Sequence, residues 1–195
     1  MIKYSYKNLI IKRIKESIQV KQDILENSSA IEQIALLIVD AYKKGKKVII
    51  FGNGGSAADS QHIAAELLGK YYIKRKGLPA VALTTNTSSL TAISNDFSFD
   101  KVFALQIDAM GEPGDIAIGI STSGNSKNVL LALEQAKKNG LITIGFTGKN
   151  GGPIKKISDY CICAPSEDTP RIQEAHILIG HIICEIVERK LFIEK

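Results

Sequence analysis

A chain of 195 residues, 45% hydrophobic and 23% charged with 16 Gly and 5 Pro, has the make-up of one globular domain with a sizeable core, which excludes disordered and collagen-like chains. Its 25 Lys and Arg against 20 Asp and Glu give a net charge of +5, but the basic residues lie near the N-terminus and in short runs, Lys43-Lys44, Lys46-Lys47 and Lys74-Arg75-Lys76. Without interleaved aromatics these runs read as solvated surface rather than a nucleic-acid footprint.

In chain order, Lys3, Lys7, Lys12, Arg13, Lys15 and Glu16 interrupt any signal-peptide core at the start, so a cytoplasmic protein is expected. Ile10, Ile11, Ile14 and Ile18 recur at helical spacing, and Ile31, Ile34, Ala35, Ile38 and Val39 repeat the pattern, which predicts two amphipathic helices within 1–45. A sheet core is expected over 46–168. It begins with a strand over 47–51, the glycine loop Gly52-Asn53-Gly54-Gly55-Ser56 and a helix over 57–68. A strand over 79–83 follows; the uncharged stretch 78–95 is too rich in Thr, Ser and Asn to span a membrane. Strand, loop and helix then recur as 115–120, Ser121-Thr122-Ser123-Gly124-Asn125 and 126–138, closed by Asn139-Gly140. Strands over 142–146 and 160–164 complete the set.

This alternation predicts a single domain of the α/β class, a doubly wound five-stranded parallel sheet flanked by helices, with the N-terminal helices as an extension. The segment 169–195 is mostly one helix, with Ile177, Leu178, Ile179, Ile182, Ile183, Ile186 and Val187 nearly all round it, the mark of burial on several sides and of a subunit interface. Cys161, Cys163 and Cys184 show no zinc or redox spacing and read as small buried apolar residues in a reducing compartment.

In an open parallel sheet, ligands bind beyond the carboxyl ends of the strands, where both polar loops fall. The glycine loop lets backbone approach a ligand and opens a helix, whose free N–H groups attract anions. It also matches the dinucleotide pattern G-x-G-x-x-A, but the acid expected about 20 residues on is missing, leaving only Arg75 to meet a 2′-phosphate. Ser121, Thr122, Ser123 and Ser126 concentrate hydroxyls at a strand end, suited to a phosphate monoester, with Ser126 placed to cap the next helix. His62 and Glu66 share one helix face, and Gln173 and His181 share a stripe of the last helix about 12 Å apart along its axis. His176 lies off that stripe and reads as structural.

Together these motifs resemble the phosphoheptose isomerases of the sugar isomerase superfamily. The resemblance rests on Gly52 to Ser56, Ala58 to Leu67, Leu83 to Thr87, Asn95-Asp96-Phe97, Gly119 to Ser126 and Asp168 to Glu174, and covers nearly the whole chain. It implies conversion of sedoheptulose 7-phosphate to D-glycero-D-manno-heptose 7-phosphate through an enediol, the first step towards activated heptose for bacterial lipopolysaccharide or capsule. It also implies a homotetramer with sites at subunit interfaces and no nucleotide cofactor. Carried over, substrate contacts fall at Asn53, Gly54, Gly55, Glu66, Asn95, Asp96, Ser121, Thr122, Ser123, Ser126 and Gln173, zinc at His62, Glu66, Gln173 and His181, and proton transfer on Glu66 and His181. Ser94 departs from the family's glycine before Asn-Asp. The alternative from another class is a non-catalytic relative that binds proteins, as replication-initiator-associating proteins do, or senses a sugar phosphate; neither needs Glu66 and His181.

Overall fold

The short apolar runs form the strands. In the computed structural model, which describes residues 5–194, they are β1 (Val48–Gly52), β2 (Ala80–Ala82), β3 (Ile116–Ser121), β4 (Ile142–Thr147) and β5 (Tyr160–Cys163). All pair in parallel in the order β2-β1-β3-β4-β5, so the winding reverses between β1 and β3. Lys3 lies outside the described residues.

Strand residues alternate between two cores. Ile50, Ile118, Ile144, Phe146 and Ile162 face α2 (Ser28–Lys43), α3 (Gly55–Leu68) and α8 (Thr169–Glu188). Ile49, Phe51 and Ala117 face α5 (Ala104–Met110), α6 (Lys127–Lys138) and α7 (Gly152–Ile157). Helix α1 (Lys7–Asp23) leads through a short 3-10 turn into α2, and α4 (Thr87–Asp96) lies over the carboxyl edge between β2 and β3 in sequence.

The burial pattern adds to the expectations from sequence and corrects those for the cysteines and the basic runs. The apolar residues of α8 are used mostly inside the chain: Ile172, Ala175, Ile179, Ile183 and Val187 are buried, and Ile177, Ile182 and Ile186 are partly covered. An exposed apolar stripe lies on α1, where Leu9, Ile10, Ile11, Ile14 and Ile18 are 41–56% exposed. Cys184 is buried, but Cys161 and Cys163 are half-buried, since residues two apart in β5 share a face, and their sulfurs lie 4.0 Å apart. The basic runs are solvated except at Lys47, paired with Asp115 at 2.6 Å, and Arg75, which is buried. Ser94 needs no special turn, because it lies within α4 and its hydroxyl donates to Leu90 O at 2.6 Å.

His176 ties α8 to the end of β4. Its Nε2 lies 3.0 Å from Thr147 O, so the neutral tautomer donates there, and burial holds its pKa down to about 4 in spite of that bond. The unfolded chain therefore binds the extra proton between about pH 6.5 and 4. We expect the stability His176 contributes to be complete above pH 6.5 and to be lost, by roughly 3 kcal/mol, as pH falls towards 4. Urea titrations across that window should show the slope, and His176→Gln should flatten it.

Candidate functional site

Helices α3 and α8 run side by side in the same direction. A side chain at Gly55 would collide with the amide of Gln173, one at Gly180 with Ile63, and farther on Glu188 takes hydrogen bonds from the chain just past α3. This close approach faces Glu66, one turn after His62 on α3, towards His181 on α8. His62 Nε2 lies 3.2 Å from Glu66 Oε1 and 3.3 Å from His181 Nε2, and ligand atoms of all three fall within 4.8 Å of one another. Two ring nitrogens at that distance repel unless a proton or a cation lies between their lone pairs. Two imidazoles and a carboxylate are also a donor set that zinc takes readily. Gln173 sits two turns earlier on α8, with its amide against Gly55 rather than beside the histidines.

Asp59, a turn before His62, is a group for which sequence reading gave no role. Its Oδ2 is buried without a partner among the described residues, and burial pushes its carboxyl pKa up while His62 opposes that shift. Tyr71 places its ring 6.1 Å from that of His181.

At the sheet reversal, the loops after β1 and β3 meet. Gly54 takes a φ of 55°, a conformation that suits glycine, and starts α3 directly, two residues sooner than periodicity predicts. Asn53 is joined to Asn128, in the first turn of α6, by a reciprocal amide pair of 2.9 and 2.8 Å. The Asn53 side chain therefore holds the second loop, leaving its backbone and those of Gly54 and Gly55 to face a ligand. Asn128 was legible only as one polar residue in an amphipathic helix.

In the second loop Ser121 Oγ lies 2.9 Å from Ser126 Oγ and 3.4 Å from Ser123 Oγ. Ser126 stands at the cap position of α6, but its hydroxyl bonds Ser121 instead of capping the helix; the Val129 N–H is taken by Asn128 Oδ1, and among the described residues those of Lys127 and Asn128 stay free beside a cluster of hydroxyls. A cleft of about 260 Å³ continues from Thr122 and Ser123 to Lys149, Ser166 and Thr169. Lys149 adds a cation that the motifs did not indicate. This is the chemistry of an anion site.

Asn95 and Asp96 are exposed at the end of α4. Among the described residues their side chains bond to each other, at 2.8 Å, and to none of the other candidates. The dinucleotide reading loses its remaining cation, because the Arg75 side chain is 1% exposed and paired with Glu188.

Comparison with known proteins shows the family and the fold. Residues 13–148 match the SIS domain family model. The phosphoheptose isomerase of Clostridium acetobutylicum is 57% identical over 192 residues, covering 97% of this chain and 98% of that one. Among solved structures, a phosphoheptose isomerase from Neisseria gonorrhoeae superposes with a TM-score of 0.90 at 41% identity, covering 94% of this chain and 99% of the other. One from Francisella tularensis gives 0.92 at 35% identity, over 95% of this chain and 100% of its own.

The Asn53–Asn128 pair offers a direct check. Asn128→Ala leaves both amide ends of Asn53 without their partner and should cost about 1–3 kcal/mol in denaturant titrations. An unchanged midpoint would mean that the two loops are not held by this pair.

Proposed function

The chain belongs to the SIS domain family and, within it, to the phosphoheptose isomerases, and from that premise we propose that it converts sedoheptulose 7-phosphate to D-glycero-D-manno-heptose 7-phosphate by proton transfer between C1 and C2. The observation that carries the reading is the meeting of His62, Glu66 and His181 in a chain that also builds a hydroxyl-lined anion site. A protein-binding relative would need only the sheet, and nothing in the site calls for a redox cofactor.

Ser121, Thr122, Ser123 and Ser126, with the N-terminus of α6, hold the phosphate, so binding energy far from the reacting carbons orients them. Glu66 takes the C1 proton and delivers one to C2. Its Oε1 faces His62, and among the described residues no donor is bonded to Oε2, which leaves that oxygen for the substrate. His181 moves a proton at the carbonyl oxygen as it becomes an enediol hydroxyl, the complementary role in general acid–base catalysis. His62, Glu66 and His181 would hold zinc, which would supply Lewis-acid polarisation of the substrate oxygens, while Gln173, set against Gly55, is left to contact the substrate.

Asn95 and Asp96 bear on a further part of the reading, because they are exposed and, among the described residues, bonded to none of the other candidates. We place them at a neighbouring subunit's site in a homotetramer, with the exposed apolar stripe of α1 as a contact. Among the described residues no helix is long and apolar enough to cross a membrane, in keeping with a cytoplasmic enzyme feeding lipopolysaccharide or capsule synthesis.

Two measurements test this. With sedoheptulose 7-phosphate, Glu66→Gln should fold normally yet lose at least about 100-fold in kcat, the lower end of what a positioned acid or base supplies. Chelation should remove turnover and added zinc restore it; no turnover by folded, zinc-replete wild type would overturn the isomerase reading. Light scattering at micromolar concentration should give a tetramer, and a monomer would remove the shared site.

A further inference from the structure

The most completely buried ion pair in the described residues lies outside the site. Arg75, in the loop after α3, and Glu188, the last residue of α8, have side chains 1% exposed, with Arg75 Nε 2.9 Å from Glu188 Oε1. Burying two charges costs several kcal/mol and is often no better for stability than an apolar pair, so stability alone accounts for it poorly.

What the pair holds is more specific. Arg75 Nη2 donates to the carbonyl of Glu66 at 2.8 Å, and Nη1 donates to that of Leu67 at 2.9 Å, in the last turn of α3. Glu188 accepts from the backbone N–H groups of Tyr71, Tyr72 and Ile73 at 2.8–3.2 Å, which fixes the loop that brings Tyr71 against His181. Burial opposes ionisation of Glu188, but these bonds and Arg75 hold its carboxyl below the ordinary value. Glu188 stands seven residues after His181, two turns along the same face of α8. One guanidinium therefore bridges the main chain of Glu66 and the helix that carries His181.

We infer that Arg75 and Glu188 are positioning residues, a clamp that sets Glu66 on α3 against His181 on α8. The inference rests on the reading of those two residues as the proton-transfer pair. The planar fork matters as much as the charge, since a lysine ammonium cannot hold both α3 carbonyls and the carboxylate in one plane.

Arg75→Lys keeps the charge and removes the fork, and Glu188→Gln keeps an acceptor and removes the charge. For each, kcat and KM are measured per folded molecule, together with the imidazole proton–nitrogen NMR signals of His62 and His181. The clamp predicts a fall in kcat of about 10- to 100-fold with KM within about threefold, the effect of a misplaced reacting group, and displaced signals for both histidines. An unchanged kcat in a folded variant, or activity lost only in proportion to the folded fraction, makes the pair merely structural and overturns the inference. If wild type itself has no turnover, the isomerase reading fails separately. The spectra then decide the clamp: displaced histidine signals in Arg75→Lys support it, and unmoved ones overturn it.

Discussion

The site depends on how closely α3 and α8 approach each other. Neither helix carries a complete set of chemical groups: α3 offers His62 and Glu66, and α8 offers His181. They come within hydrogen-bonding reach because glycine stands at each contact point, Gly55 beneath Gln173 and Gly180 against Ile63. Helices with ordinary side chains at those points pack about 8–10 Å apart, and the spacing here is set by removing a Cβ from one partner each time. The α8 side of this contact is anchored in turn by His176 on the end of β4, so the sheet, the last helix and the triad form one connected framework.

The second element is the reversal of winding between β1 and β3. It opens a crevice at the carboxyl edge of the sheet, and the two loops that flank it are joined by the Asn53–Asn128 pair. The anion site built there is mostly neutral, made of hydroxyls and unpaired helix N–H groups, with Lys149 at the rim of the cleft. In the proposed function such a site would bind the phosphate by directed hydrogen bonds and so orient the sugar chain, with its reacting end offered to the groups on α3 and α8.

Much of this was legible in the sequence, for identifiable reasons. Strands β1, β3 and β4 are rich in Val and Ile, β2 and β5 are short apolar runs with one β-branched residue each, and each of the five was found to within a residue or two. His62 and Glu66 were readable as a pair because helical periodicity alone puts them on one face. His181 was readable as a partner only through the family resemblance, since its meeting with His62 spans 119 positions and depends on helix packing. Helices α4, α5 and α7 were missed: α4 has no buried residue and reads as a polar loop, and α5 and α7 are too short for periodicity to declare itself. Arg75 looked like one of three solvated cations because local charge patterning carries no sign of a carboxylate 113 positions away.

The central claim is that the groups gathered by α3 and α8 move a proton between adjacent carbons through an enediol. The direct measurement is NMR of the heptose formed from sedoheptulose 7-phosphate in deuterium oxide. Proton transfer through Glu66 predicts an aldose carrying solvent deuterium at C2, because a carboxyl proton exchanges with water before it is delivered. An aldose that keeps the original C1 hydrogen at C2 throughout, or the absence of aldose from folded protein, would contradict the account.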